Sequence, residues 1–263
     1  IATLSSSGES CIALTTSGKV YAWGNNQQGQ LGLGLNSESS YLATPQTIGV
    51  FKRVEIKSVA CGPEHSAFIA KNGEVYTCGN ADNGKLGLGD SVLSTLSNVQ
   101  LIPRAVLGIP NIRKISCGVD HTVAVDYFSK VWVWGSNWKG KLGVPETTDL
   151  LSPVCLDSKA FYPKLTCKLK NVACGEHHTL LLNSQGDVYC AGYAKYAGIQ
   201  AKGEIHNFQR IPSLSSIKWV SAGREHSLAV NSRGQLYGWG KNTHSKLGPG
   251  PFQHNSDPEF VLP

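Results

Sequence analysis

The sequence has no methionine, few charged residues and no long hydrophobic segment. The absence of methionine indicates that the chain is a trimmed or processed piece. Charged residues make up 16% of the chain, against roughly 25% in an average globular protein. The longest apolar runs are too short to span a bilayer. Residues 1–10 also lack the basic and apolar regions of a secretory signal.

Several kinds of chemistry are disfavoured by what the sequence does not contain. The net charge is +6 but there is no polybasic block, which disfavours a nucleic-acid ligand and gives a mild preference for an acidic partner surface. There is no phosphate-binding glycine loop with lysine, no GxSxG elbow and no HExxH motif. We therefore expect no covalent catalysis, no cofactor and no metal site.

What the sequence does contain is one pattern repeated five times. In each repeat a short apolar run, the first strand, leads into a turn. An alternating second strand, a glycine turn, a third strand and a GxNxxGKLG-type loop follow. One glycine of the pattern recurs at intervals of 55, 56, 57 and 48 residues, which leaves no room for a hidden unit. These glycines are Gly24, Gly79, Gly135, Gly192 and Gly240.

Each repeat is predicted to form four strands, because a segment that begins with proline follows the last loop and suits an edge strand. Four strands in a repeat of roughly 50 residues are typical of a β-propeller. We therefore predict an all-β, single-domain β-propeller of five four-stranded blades in a closed ring, with a fragment of a larger ring as the alternative. The approximate repeats are 1–50, 51–108, 109–160, 161–213 and 214–263.

The order of strands also places the loops. The CGxxH turn joins strands one and two of each blade, and the GxNxxGKLG loop joins strands three and four. Both therefore belong to the same face of the predicted propeller, where residues that do not repeat are candidates for function.

The motif CGxxHSxxL…G.VYxWGxNxxGQLGxG resembles that of the regulator of chromosome condensation repeats, and the resemblance covers essentially the whole chain. The best-known members are seven-bladed propellers, and the founding member is the guanine-nucleotide exchange factor for the small GTPase Ran. Other members are interaction modules, regulators of other GTPases, parts of ubiquitin ligases and a plant ultraviolet receptor. The receptor's GWRHT motif is absent here, so we do not expect light sensing.

Four histidines occupy one repeat position, and we assign Cys11 to it in the first unit. Because metal ligands must converge on one point, residues spread over the repeats are predicted to be structural. These histidines are His65, His121, His178 and His226.

Most of the eight cysteines also follow the repeat and are predicted to be small buried hydrophobes. Unpaired thiols in this number indicate a reducing compartment, the cytoplasm or the nucleus, and a bacterial effector delivered to a host cytosol is the alternative. Cys155 and Cys167 lie outside the pattern, so a disulfide between them stays an alternative.

The variable positions of the loops are the candidate partner-binding residues. In the Ran exchange factor, an acidic residue in a GxDH turn and the first histidine of a GxHH turn are functional, and the resemblance implies these roles for Asp120 and His177. Aromatic and lysine side chains in the neighbouring loops suit an interface hot spot, and we expect the aromatic ones to be exposed. The remaining candidates are Glu64, Glu176, Arg224, Glu225, Trp138, Lys139 and Tyr196.

We expect a monomeric, protein-binding propeller that regulates a small GTPase in the manner of the Ran exchange factor, without covalent catalysis. Whether exchange activity exists stays open, because segment 144–170 is the longest between repeats by only a few residues and is too short to predict the protruding β-wedge of the exchange factor. The alternative is a non-catalytic interaction platform that uses the same loop face.

Overall fold

A computed structural model of the chain describes residues 1–34, 40–89, 98–157, 160–164, 167–248 and 254–262. These residues form two compact units. The first comprises Ile1–Ser136 with Asp149–Val154, and the second comprises Asn137–Thr148 with Cys155–Pro263. No helix in the described part of the chain has the length and apolar character needed to span a bilayer.

The first unit contains three antiparallel blades, each with its strands in sequence order. Only the last residue of β12 is assigned to the second unit. Short 3₁₀ helices cover Gly49–Arg53 and Asp82–Gly84. The strands are β1 (Thr3–Ser7), β2 (Ser10–Leu14), β3 (Val20–Asn25) and β4 (Tyr41–Thr47); β5 (Ile56–Cys61), β6 (His65–Ala70), β7 (Val75–Asn80) and β8 (Val99–Ala105); and β9 (Ile112–Cys117), β10 (His121–Asp126), β11 (Val131–Gly135) and β12 (Leu150–Cys155).

The second unit contains the fourth and fifth blades and the loop that follows β11. It includes the 3₁₀ helices Trp138–Gly140 and Thr243–Ser245 and one α-helical turn, α1 (Ala194–Ala197). Its strands are β13 (Phe161–Tyr162), β14 (Leu169–Cys174), β15 (His178–Asn183), β16 (Val188–Tyr193) and β17 (Glu204–Arg210); and β18 (Ile217–Ala222), β19 (His226–Asn231), β20 (Leu236–Lys241) and β21 (His254–Leu262). The predicted β-propeller blades, five in number, are thereby confirmed.

The second strand of a blade is its most buried element. Every residue of β6, β10 and β15 is buried, and β6 and β15 also contact the first strand of the next blade, β9 and β18. The third strand carries the large core residues, and Trp134 and Trp239 are fully buried. The cysteines at repeat positions are buried as predicted, and all eight cysteines are thiols, so there is no bridge between Cys155 and Cys167.

The repeat histidines join neighbouring blades within a unit. In the first unit, Nε2 of His65 is 2.9 Å from Oγ1 of Thr122, a residue of the next blade. The Thr122 hydroxyl donates its proton to the carbonyl oxygen of Lys85 at 2.9 Å, so Nε2 of His65 must be the donor to Thr122. Burial lowers the pKa of His65 to about 3, which keeps the imidazole neutral.

The second unit repeats this contact between His178 and Ser227, whose Nε2 and Oγ atoms are 2.7 Å apart. Burial likewise lowers the pKa of His178 to about 3. At these two positions the histidine ring forms a hydrogen bond with a side chain of the next blade, which is a structural contact.

The structure corrects two details of the predicted repeat. The pairing of Ser10 with Gly24 matches that of His65 with Gly79, so Ser10 takes the histidine position of the first blade and the assignment of Cys11 was wrong. The cause is that the turn between β1 and β2 is one residue shorter than the corresponding turn between β5 and β6. In addition, the fourth blade has a fifth strand, β13, which pairs in parallel with β17.

Candidate protein-binding site

Four loop segments of the second unit bring most of the candidate residues together. They are the loop after β11, the turn between β14 and β15, the segment around α1, and the turn between β18 and β19. We call the rings that meet here the aromatic cluster. Its members are Trp138, His177, Tyr193 and Tyr196.

Trp138 is the exposed member of the aromatic cluster. Its side chain is 55% exposed, although its ring contacts His177 edge to face with the centroids 4.7 Å apart. The ring of His177 also stacks on Tyr196, with the centroids 6.0 Å apart. His177 thus contacts two aromatic rings, and its Nε2 is 3.8 Å from a carboxylate oxygen of Glu176.

Lys139 lies between two aromatic faces and a carboxylate. Its Nζ is 4.9 Å from the ring centroid of Trp138 and 5.0 Å from that of Tyr193, distances at which a cation is attracted by the ring electrons. The same Nζ is 3.3 Å from Glu204. These contacts hold Lys139 in place even though its φ of 68° is in the left-handed region, which is unfavourable for a residue with a side chain.

Two ion pairs border the cluster. The guanidinium of Arg224 donates two hydrogen bonds to the Glu176 carboxylate, one of them 3.0 Å long, and this contact lowers the pKa of Glu176. Lys241 binds Glu225 at 2.7 Å. Burial of Glu225 favours a higher pKa, but the hydrogen bonds from Lys241 and Tyr196 outweigh it and lower the pKa of Glu225.

Tyr196 is not the exposed aromatic that the sequence predicted. Its side chain is 5% exposed, and its hydroxyl donates a 2.8 Å hydrogen bond to Glu225. Burial and this bond raise the pKa of Tyr196. Tyr196 lies on α1, in a loop that is shorter than the GKLG loops of the other repeats, and its ring is buried. Tyr196 therefore supports His177, and Trp138 is the accessible aromatic group of the pair.

Glu64 and Asp120 belong to the first unit and have partners there. The Glu64 carboxylate is 3.1 Å from Nζ of the buried Lys85. Asp120 has its carboxylate 4.0 Å from Nδ1 of His121 and a side chain that is 26% exposed. Lys85 was not a candidate, because it was read as part of the repeated loop.

Two residues that support the site in the second unit were also missed. Lys141 is fully buried, and its Nζ donates to the carbonyl oxygen of Glu176 at 3.2 Å, which fixes the turn that carries His177. Glu204, which binds Lys139, lies on the outer strand β17. Neither could have been found from the sequence, because Lys141 occurs in the repeated GKLG motif and outer strands have little pattern.

Comparison with known proteins assigns the chain to a family. The RCC1-like domain family matches residues 1–262. This chain belongs to that family. It is 31% identical to the ultraviolet-B receptor UVR8 of Arabidopsis thaliana over 259 residues, 95% of this chain and 55% of the receptor.

Solved structures agree with this assignment. Yeast RCC1 (Prp20), in its complex with Kap60, superposes with a TM-score of 0.84 at 25% identity, over 99% of this chain and 61% of the yeast chain. Prp20p of Saccharomyces cerevisiae in a second structure gives a TM-score of 0.81 at 26% identity, over 99% and 63%. This RCC1-like chain therefore corresponds to a part of each of these relatives.

The RCC1-like blades supply a site whose exposed groups can bind a protein. Among the described residues, no group of three His, Cys, Asp or Glu side chains could hold a metal ion. The nucleophilic thiols of the repeat, such as Cys61, are buried, and burial raises the pKa of Cys61 to about 12. What the surface presents is an exposed tryptophan with charged neighbours, which is the composition of an interface hot spot.

Proposed function

We propose that this RCC1-like propeller regulates a small GTPase of the Ran class and binds it through the aromatic cluster. Trp138 would be the anchor of the interface. Lys139, Arg224 and Lys241 would meet acidic groups of the GTPase at its edge. Asp120, in the first unit, stays a candidate contact on the basis of its GVDH turn.

The observation that carries the proposal is the contact between Trp138 and His177. His177 is the residue for which the GEHH motif implied a role, and the structure gives it a fixed orientation against a tryptophan that is 55% exposed. Trp is strongly enriched among residues that dominate binding energy, especially where a rigid surround holds it.

The relatives support a protein partner. The second yeast structure is described with the binding properties of Prp20p to Gsp1p and histones, and the first contains Kap60. Other relatives of this chain are E3 ubiquitin-protein ligases, such as HERC2 of Homo sapiens. Binding of proteins is thus the feature that these relatives support, and the GTPase is our specific proposal for this chain.

An exchange factor of this kind acts through differential affinity and breaks no bond of the nucleotide. It binds the nucleotide-free GTPase more tightly than the GDP-bound form, and the difference in binding free energy weakens the hold of the GTPase on GDP. The role of Trp138, His177 and Arg224 would be to make contacts that are stronger in the nucleotide-free complex. No residue of the propeller needs to transfer a proton.

Release of mantGDP from Ran and related GTPases, measured with sub-stoichiometric propeller, tests the proposal. We expect the wild-type chain to accelerate release from Ran, and Trp138→Ala to reduce the acceleration roughly tenfold or more because a hot-spot side chain is lost. Trp219→Ala is the matched control, since Trp219 is 61% exposed on β18 and outside the cluster. His177→Ala should also reduce the rate far more than His226→Ala. A complete lack of acceleration across the GTPases would refute exchange activity.

A non-catalytic interaction platform is the second candidate, and β13 favours it. The described part of segment 144–170 contains this short strand, which is the outermost strand of the fourth blade and pairs with β17; Phe161 stacks on Phe208 with ring centroids 5.6 Å apart. A strand held in this way does not supply a protruding wedge. The platform is the correct function if Ran binds to the wild-type chain, if this binding is lost in Trp138→Ala, and if the wild-type chain does not accelerate mantGDP release.

We also propose that the chain works in a reducing compartment, the cytoplasm or the nucleus. The support is the set of buried thiols, which includes Cys61, Cys78 and Cys190. Stable disulfides are expected in oxidising compartments instead.

A further inference from the structure

A cavity of about 540 Å³ lies in the first unit, and none of the residues that line it is assigned to GTPase binding. It is formed by the turn between β2 and β3 and by the segment that joins β4 to β5. Its volume is in the range of ligand-binding clefts. Two adjoining segments of chain therefore enclose a site that the proposed function does not use.

The floor of the cavity is apolar and firmly packed. Val20, Ile48 and Phe51 line it, and all three side chains are buried. Phe51 is anchored from below by Phe68, with ring centroids 4.9 Å apart, and by Tyr76 at 5.7 Å. The floor thus belongs to the core of the unit and offers a preformed place for an apolar side chain.

The rim of the cavity is basic. Lys19, Lys52 and Arg53 are exposed there, and none of them has an ion-pair partner among the described residues. The acidic residue of the rim, Glu55, is already bound by Lys71 at 2.9 Å. The cavity therefore presents three unpaired positive charges above an apolar floor.

We propose that this cavity, the basic-rimmed groove, binds an acidic linear peptide of a partner protein, with an apolar side chain of the peptide on Phe51. The cations come from two separate segments and stay exposed, so they suit charges spaced along a chain. Every buried residue that lines the cavity is apolar. A site for a compact anion would instead need polar groups that converge on one point.

Selection from a random peptide library displayed on phage tests the groove directly. The full chain would be the bait, and a Lys52→Glu/Arg53→Glu variant would remove peptides that bind elsewhere. We expect the selected peptides to carry Asp or Glu on both sides of a Leu, Ile, Phe or Trp. By fluorescence anisotropy, their affinity should fall roughly tenfold or more on the double variant, because two favourable charge contacts become repulsive.

The matched control is Lys114→Glu/Lys130→Glu, which makes the same change in net charge on two exposed lysines of the third blade. This control should keep the peptide affinity, and replacing the apolar residue of the peptide with glycine should remove it. The proposal is overturned if no acidic-apolar peptides are selected, if both double variants weaken binding equally, or if inorganic phosphate or laurate binds at the groove while the peptides do not. The peptide experiment does not measure nucleotide exchange, so the groove proposal can fail or succeed independently of the GTPase proposal.

Discussion

At Thr122, one hydroxyl group satisfies two buried polar atoms of the preceding blade. It accepts a hydrogen bond from Nε2 of His65 and donates a hydrogen bond to the carbonyl oxygen of Lys85. The same carbonyl accepts a hydrogen bond from Nε1 of Trp134 at 2.9 Å. The recurrence of histidine predicted a structural role, but its partner was hidden because Thr122 is an ordinary residue in a strand pattern.

Thr122→Val should therefore destabilise the protein at nearly constant volume. It leaves the His65 N–H without an acceptor and takes one donor from the Lys85 carbonyl, and a buried unsatisfied group costs roughly 1–3 kcal/mol of unfolding free energy. Urea denaturation followed by circular dichroism measures the loss. Thr44→Val, on the exposed face of β4, is the control and should change stability by less than about 0.5 kcal/mol. Equal effects would contradict the proposed hydrogen-bond relay.

The buried histidines also predict how stability depends on pH. Burial lowers the folded-state pKa of His65 and His178 to about 3, whereas an unfolded histidine titrates near 6.5. Between these values the unfolded state binds more protons, so stability is greatest above about pH 6.5 and is lost as the pH falls toward 3.

The corresponding experiment compares urea midpoints at intervals between pH 7.5 and pH 5. We expect little change above pH 7 and a fall that steepens below pH 6.5, with a slope of up to about 1.4 kcal/mol per pH unit for each histidine. His178→Gln, which cannot titrate, should give a shallower dependence than wild type. A stability that is flat below pH 6.5 would show that the rings are not held neutral.

In the candidate site, the exposure of individual side chains could not be predicted from the sequence. Residue types drew attention to Trp138, Glu176 and Arg224, which lie in the loops, and the structure shows that Glu176 and Arg224 form an ion pair. The burial of Tyr196 was not predictable, because it depends on α1 and on the acceptor Glu225 in another blade. Exposure is decided by the neighbours of a loop in space, and a single sequence does not contain them.

At the scale of the element, the glycine that ends the third strand fixes how each blade turns. Gly79 has a φ of +115°, and a Cβ at this position would lie 2.3 Å from the Glu64 carbonyl oxygen, much closer than van der Waals contact allows. That carbonyl accepts the Asn80 N–H at 2.9 Å. Only glycine permits this close approach, which explains why the pattern glycine occurs in every repeat.

Gly79→Ala should consequently destabilise the protein by about 2 kcal/mol or more, because it adds both backbone strain and a clash. Gly49→Ala provides the control, since a Cβ there would meet no atom within 4 Å and the φ is not in the left-handed region. Thermal unfolding of the two variants under the same conditions should show a lower Tm for Gly79→Ala only. Similar values would contradict the account of the turn.

Elements that follow the repeat were predictable, whereas departures from it were not. Alternating residues and glycine turns identified the strands from β2 to β20 that carry the motif. The short strand β13 was missed because two residues, Phe161 and Tyr162, give no periodicity. The place of Ser10 was missed because a turn shortened by one residue shifts the alignment without changing the pattern.

For the whole molecule, the repeat was sufficient to predict the fold, and the RCC1-like family assignment agrees with it. Identical packing problems recur in each blade, so the same residues recur, and this makes the architecture readable from the sequence. Function has no such redundancy. It rests on residues that each occur once, such as Trp138 and His177, and their meaning depends on a partner.

The central claim is that the aromatic cluster binds the nucleotide-free form of a Ran-class GTPase in preference to the GDP form. Isothermal titration calorimetry of the propeller with nucleotide-free and with GDP-bound Ran measures this difference directly. We predict a Kd for nucleotide-free Ran that is lower by roughly a hundredfold, with most of the difference lost in Trp138→Ala and kept in Trp219→Ala. Equal affinity for the two forms of Ran, or equal effects of the two tryptophan substitutions, would contradict the account.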